Sequence, residues 1–431
     1  EAAEKFDIVI QEEQAALQRL KQAYEGKAQI AWDAVRYGEA LDYRQKAAAL
    51  VDKTTDPLGW CDAQGEVALI HHHLALYKEA EPLMREIVRL REQHLGADHS
   101  ELATALNNLA LLLKATNRLA EAEPMYRRAL KIDMASYGPD HPTVAIRLNN
   151  LAQLLKATNC LAKAEGLMWR ALEIDEANYG PNHPEVAKNL NNLAGLFLVT
   201  NRLEKAEAMY RRVLDIVKAA YGNAHPKVAI ALNNLAQLLK ATNRLAEAEP
   251  LMQRALKIDE ATYGPDHPEV ARDLNNLARL IHETKHPSDA EPLMRRALQI
   301  NESSYGLEHP KVARGLNNLA GLLQDTNRMV EAEPMFRRAL KIDEASYGPD
   351  HPDVARDLNN LAQLLKDTSR MSDAEPMMRR AVGIFVVFGR KTGHEHPHYR
   401  TVVKNYRILL AEMKLSEAEI EAKLKALGVE D

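Results

Sequence analysis

Cysteine is nearly absent from this chain. Only Cys61 and Cys160 occur in 431 residues. Two isolated thiols build no disulfide framework, and a reducing, cytoplasmic setting is the expectation. Aromatic residues make up only 5%, while alanine and leucine abound, which disfavours sheets and favours packed helices. No run of 18 apolar residues exists, so no membrane-spanning helix is expected. A net charge of −5 supplies no general basic field, and nucleic acid is not an expected partner. Glycine-rich phosphate loops, nucleophile elbows and zinc-protease helices are missing as well. Acid pairs such as Glu247/Glu249 fall on a solvent face, without the burial that raises a pKa. The expectation is a non-enzyme without cofactor or bound metal. No signal peptide is visible, and the chain starts at Glu1 rather than Met, which leaves room for a missing upstream domain.

What the chain has instead is a period. The pentapeptide Leu-Asn-Asn-Leu-Ala begins at Leu106, Leu148, Leu190, Leu232, Leu274, Leu316 and Leu358, always 42 residues apart. A fixed period of this size marks a stacked repeat array, in which each unit hides its apolar face only against its neighbours.

One unit shows the physical content. Pro226 suits a first helical position, and Val228, Leu232, Leu235, Ala236 and Leu239 then follow 3- and 4-residue spacing, predicting an amphipathic helix. Ala241-Thr242-Asn243-Arg244 breaks the pattern as a turn. A second helix follows on Leu245, Ala248, Met252, Ala255, Leu256 and Ile258, and it runs to Tyr263 before Gly264-Pro265-Asp266 stops it. Pro250 is expected near its start, where a missing N–H costs least. Ala236, Ala248 and Ala255 mark close helix approach, and each fully buried Leu or Met around them contributes roughly 1.5–3 kcal/mol.

This order of Leu, Leu-Ala, Leu, then Ala, Met and Ala-Leu resembles the tetratricopeptide repeat, lengthened from 34 residues to 42. The Tyr-Gly-Pro-Asp-His-Pro linker and the Glu-Ala-Glu-Pro segments are similar to those of kinesin light chains and their bacterial relatives, over about residues 57–413. The resemblance implies an all-α fold, a right-handed superhelical solenoid of stacked antiparallel helix pairs. The expected division is residues 1–55 as an N-terminal helical cap or the tail of a missing domain, with helices at about 7–24 and 28–52. Residues 56–413 form an array of about eight units, and residues 414–431 form a C-terminal capping helix with a Ser416/Glu419 capping box. Near the end the period slips by three residues, and His396-Pro397 takes the place of the linker His-Pro.

The resemblance also implies that the first helix of each pair lines a concave groove. The groove positions lie two before, and one, two, five, eight and nine after, the first Leu of each pentapeptide. The Asn pairs fall there. Asn is donor and acceptor at once, so a ladder of them can hold an extended peptide or can bridge neighbouring helices. Asn149, Asn191, Asn233, Asn275, Asn317 and Asn359, the first of each pair, are assigned to ligand, and the second of each pair to structure. Early units carry apolar groups there, Leu111, Ile146, Leu198, Val199 and Ile230. Later units carry cations, Arg272, Arg314 and Arg356 with Arg279 and Lys366, preceded by Lys188. The expected ligand is therefore a protein or peptide segment with apolar residues followed by acidic ones, similar to the tryptophan–acidic motifs that kinesin light chains accept. The alternative for each Arg is a solvated row partly neutralised by Asp273, Glu283, Asp325, Asp357 and Asp367. The function expected is a non-catalytic interaction scaffold. The second reading is the regulatory or sensing arm of a larger signalling or effector protein.

Three further features carry less. Glu291 to Arg295, Glu333 to Arg337 and Glu375 to Arg379 are surface i,i+4 pairs worth ~0.2–0.5 kcal/mol each. Trp169 stands where sister units have Arg or Gln, either as a contact hot spot or lying on Cys160 and Leu161. The linker histidines (His141, His183, His225, His267, His309 and His351) read as helix-start hydrogen-bonding groups. His394, His396 and His398 share a loop but lack a supporting ligand constellation.

Overall fold

In a computed structural model, residues 2–284 and 287–429 are described, with side chains from residue 5 onward. Among them every regular element is an α-helix. The chain divides into two compact units, Glu1–Leu112 and Leu113–Asp431.

The first unit holds α1 (Ala2–Asp33), α2 (Tyr37–Ala48), α3 (Pro57–His73), α4 (Tyr77–Leu95) and most of α5 (Ser100–Ala115). The two stretches expected at 7–24 and 28–52 have different bounds. A single helix α1 runs through Gly26 and stops at Val35, whose φ is 60°. One glycine in a helix interior costs only about 1 kcal/mol, too little to break a helix that α2 packs against. Cys61, Ile87, Leu90 and Ala105 form a buried core of this unit, flanked by Trp60 and Val88.

The second unit continues with α6 (Leu119–Tyr137), α7 (Pro142–Ala157), α8 (Leu161–Tyr179), α9 (Pro184–Val199), α10 (Leu203–Tyr221), α11 (Pro226–Ala241), α12 (Leu245–Tyr263), α13 (Pro268–Thr284), α14 (Pro287–Tyr305), α15 (Pro310–Asp325), α16 (Met329–Tyr347), α17 (Pro352–Asp367), α18 (Met371–Thr392), α19 (Tyr399–Glu412) and α20 (Glu417–Leu427). The last second helix, α18, has 22 residues where α16 has 19, and those three extra residues absorb the slip in the period.

The α11–α12 hairpin shows the local devices that recur along the described residues. Asn243 adopts φ 58° between α11 and α12, and the Arg244 N–H reaches back to the Leu239 carbonyl at 2.8 Å. Asn tolerates this left-handed geometry better than most residues. Gly264 ends α12 at φ 88°, where a side chain would be strained. The linker histidine then caps the next helix: His225 Nδ1 accepts from the Lys227 N–H at 3.2 Å, and its ring stacks on Tyr221 with centroids 4.5 Å apart. Pro250 stands sixth in α12, past the first turn where it was expected, and the helix continues through it.

The core is continuous from hairpin to hairpin. Val270, Ala271 and Leu274 of α13 pack with Ala297 and Ile300 of α14, and Leu256 of the preceding α12 joins them. Val312, Ala313 and Leu316 of α15 repeat this with Ala339, Ile342 and, from behind, Leu298. Ala236, Ala248 and Ala255 are fully buried. At the end, Ser416 and Glu419 make the reciprocal capping box, with Ile420 and Leu424 of α20 buried.

Candidate functional site

Neighbouring first helices of the second unit touch one another: α7 on α9, α11 on α13, α13 on α15, α15 on α17 and α17 on α19. This row is therefore the tighter, inner side of that stack, and it carries the positions assigned to ligand.

The asparagines form rungs between repeats. At three seams the second Asn donates to the first Asn of the repeat before: Asn192 Nδ2 to Asn149 Oδ1 at 3.2 Å, Asn234 to Asn191 at 2.7 Å and Asn360 to Asn317 at 3.4 Å, whereas Asn233 Oδ1 and Asn275 Oδ1 are buried with no donor. Asn405 does the same for Asn359 at 2.9 Å. First asparagines donate forward, Asn149 to Asn189 at 2.5 Å, and Asn233 and Asn317 to Asp273 and Asp357, both at 2.8 Å. Asn275 turns back on the Ala271 carbonyl at 3.0 Å. Asn233 and Asn317 are buried. The Nδ2 groups of these two residues are thus spent on the framework, joining helices.

A second set of contacts has no counterpart in the sequence reading. Between each second helix and the following first helix, two positions 14 residues apart face each other. They hold an ion pair at Asp133–Arg147 (2.7 Å) and a hydrogen bond at Asn189–Asp175 (2.7 Å). The corresponding pairs are Val217/Ala231, Asp259/Asp273, Asn301/Gly315 and Asp343/Asp357. The signal lay in reading the two columns together: wherever the second-helix residue loses its carboxylate, its facing residue loses polarity.

Two of these pairs set carboxylate against carboxylate. Asp259 and Asp273 are about 1% and 0% exposed, as are Asp343 and Asp357. Arg272 reaches Asp259 at 3.1 Å and Asp273 at 3.0 Å, and also Glu269. Arg356 reaches Asp343 at 3.1 Å, Asp357 at 3.0 Å and Asp353 at 2.6 Å. Each of the four aspartates keeps one buried oxygen without a hydrogen-bond partner. Burial, and then the facing Asp273, raises Asp259 to about 7. Burial and Asp357 raise Asp343 to about 8.

The other assigned cations divide in the same way. Lys188 is bound to Glu185 at 2.7 Å and Lys366 to Glu412 at 3.4 Å. A further row runs from Lys240 to Glu283 (2.7 Å), His282 to Asp325 (3.3 Å) and Gln324 to Asp367 (2.7 Å). Arg279 and Arg314 are exposed, and no ion pair to either occurs among the described residues. The reason at Arg314 is visible: Asn301 and Gly315 stand where the acid pair would be.

Of the apolar positions in this unit, Ile146, Val199 and Ile230 are 54%, 55% and 43% exposed, and Leu198 is partly covered. Leu111, in the first unit, is also exposed. Trp169 lies against Phe197, centroids 6.4 Å apart. Arg202 caps that same Phe197 ring from 4.2 Å. His396 is wedged between Phe385 and Phe388, and burial drives its imidazole down to about 4. His394 meets the Cys160 thiol, with Nε2 2.9 Å from Sγ. Among the described residues, no three His, Cys, Asp or Glu side chains gather into a metal-holding group. None of the helices searched is long and apolar enough to cross a membrane.

The tetratricopeptide repeat profile matches residues 61–135, 148–219, 200–261, 227–303 and 311–385, well over half of the chain. The chain belongs to the tetratricopeptide repeat family. No curated protein sequence matches it. Among solved structures, these tetratricopeptide hairpins are similar to a Podosopora anserina putative kinesin light chain with nearly identical TPR-like repeats. That match has 20% identity and a TM-score of 0.41, over 48% of this chain and 97% of that one. They are similar to BtubC (BKLC) from P. vanneervenii at 25% identity, over 58% of this chain and 93% of that one, with a TM-score of 0.43. A Rap protein complexed with competence and sporulation factor matches over 95% of this chain and 99% of its own, at 14% identity and a TM-score of 0.51, and shares the fold.

Proposed function

We propose that the chain is a non-catalytic interaction scaffold whose second unit binds an extended protein segment along the inner row of first helices. The supporting observation is the division of that row. Its paired polar groups join repeats, and what is left exposed sorts by chemistry, Ile146, Val199 and Ile230 first and Arg279 and Arg314 later. Apolar side chains exposed on a concave row recover burial energy only when something covers them, at roughly 25 cal/mol per Å². An unneutralised Arg binds a carboxylate in two-point geometry. The segment therefore carries apolar residues followed by an acidic one. Arg272 and Arg356 position helices in this reading and do not contact the ligand. The Rap protein of similar fold is seen with a bound factor, which is consistent with a fold suited to holding a ligand.

A displayed random-peptide library selected on the whole chain tests this. The enriched peptides are expected to combine an apolar cluster with Asp or Glu. Arg314→Glu is expected to weaken them about tenfold or more, with the helical signal unchanged, and to shift selection toward Lys or Arg at the acidic position. Ile230→Asp is expected to remove the apolar preference. Selection that enriches nothing, or peptides indifferent to both substitutions, would overturn the reading.

A further inference from the structure

One rung of the asparagine ladder cannot form for want of a side chain, and it lies inside the first unit. Where the rung forms, the second Asn donates to the residue 43 positions earlier, as Asn192 does to Asn149 and Asn234 to Asn191. For Asn108 that residue is Gly65, which has no side chain to accept. A Cβ built on Gly65 would meet nothing within 4 Å. The space stays open as a cavity of about 390 Å³ bounded by α1 to α5, with Gly65 and Asn108 on its wall. A volume of this size holds a small organic molecule.

Its chemistry has three parts. The floor is apolar, with Ala48, Met84 and Ile87 among its residues. Two loose ion pairs line the rest, Arg44 with Glu66 at 3.8 Å and Lys21 with Glu25 at 3.9 Å, both too long for hydrogen bonds. Arg91 also lines the cavity: its terminal nitrogens hold Asp62 at 2.6 Å and the Glu101 carbonyl at 3.1 Å, while its Nε is buried without a hydrogen-bond acceptor. An unmet donor and slack pairs of both signs suit a molecule that is itself a small dipole. An anion alone would face Glu25, Glu66 and Asp62, and a cation alone would face Lys21, Arg44 and Arg91.

We propose that this cavity binds a free α-amino acid with an apolar side chain. Its carboxylate lies toward Asn108, Arg44 and Arg91, its ammonium toward Glu66 and Glu25, and its side chain on the Met84–Ile87 floor. The bound molecule supplies the acceptor that Asn149, Asn191 and Asn317 supply in their own repeats.

Titration calorimetry on the whole chain with L-leucine, 4-methylpentanoate and L-leucinamide tests this. L-leucine is expected to bind, and the two analogues, each lacking one charge, at least about tenfold more weakly. Gly65→Asn refills the rung. It is expected to abolish leucine binding while the thermal midpoint holds or rises, since Asn is the better helix former. Arg44→Gln leaves the packing intact and is expected to weaken leucine about tenfold while leaving leucinamide unchanged. Absence of heat with L-leucine at ~20 mM, equal binding of all three probes, or undiminished binding to a folded Gly65→Asn variant would each overturn the proposal.

Discussion

Arg356→Ala destabilises the second unit by roughly 3 kcal/mol at pH 8, more than any surface substitution elsewhere on the inner row. The cause is what the guanidinium leaves behind. Asp343 and Asp357 are almost wholly buried and face each other across the α16–α17 interface, and Arg356 is the cation touching both. Without it a buried carboxylate is left with no cation, in a medium that screens poorly. Because Arg356 is itself one-third exposed, the figure sits at the low end of the range for broken buried pairs. Urea unfolding monitored by circular dichroism measures it. Arg314→Ala is the control, and it is expected to change stability by less than about 0.5 kcal/mol. Equal effects of the two substitutions would refute the clasp. The same reasoning bars Arg272→Glu and Arg356→Glu as clean probes of ligand binding.

The unmutated chain is expected to lose stability as pH rises from 6.5 to 8.5. Asp259 at about 7 and Asp343 at about 8 stand far above the ordinary aspartate value of 3.8. Between those limits the folded chain binds more protons than the unfolded one, so stability falls with rising pH. The contribution is complete near pH 4 and gone once pH exceeds the folded values. Two histidines of opposite sense lie outside this window. His351 and His396 are pushed below 6.5 by burial, so they favour folding as pH rises only up to 6.5 and are neutral in both states above it. Depressed carboxylates such as Glu86, at about 2, lose their contribution only in acid. The double substitution Asp273→Asn with Asp357→Asn is expected to flatten the slope between pH 6.5 and 8.5. A wild-type urea midpoint that stays level or climbs across that window would contradict the proton-sharing pairs.

The hairpins were legible in the sequence because every device behind them is local. Pro at the helix start, Asn at the left-handed turn, Gly at the stop and the 3–4 spacing of Leu and Ala each act within a few residues. The linker histidines do as well, and they cap helices as their place before Pro indicated. Pro250 and the run of α1 through Gly26 were misplaced because propensity is weak against packing. The roles of Arg272 and Arg356 were harder to read. An Arg two before a Leu looks like a groove cation until the preceding helix is laid beside it, and only stacking brings Asp259 or Asp343, 13 residues upstream, into reach. Arg314 has the same sequence position and the opposite surroundings, because its neighbours are Asn301 and Gly315.

The facing pairs that differ from one interface to the next act as address labels. Hairpins this alike could dock in the wrong order, a known hazard of repeat chains. Set the α10 hairpin against α13, and Val217 would meet Asp273, a carboxylate sealed against hydrocarbon. Set α6 against α17, and Asp133 would give up Arg147, its 2.7 Å partner, for the α17 residue Asp357. Shuffling between seams of unlike polarity is discouraged by a mismatched charge, so a nearly uniform spine can still keep part of its sequence of storeys.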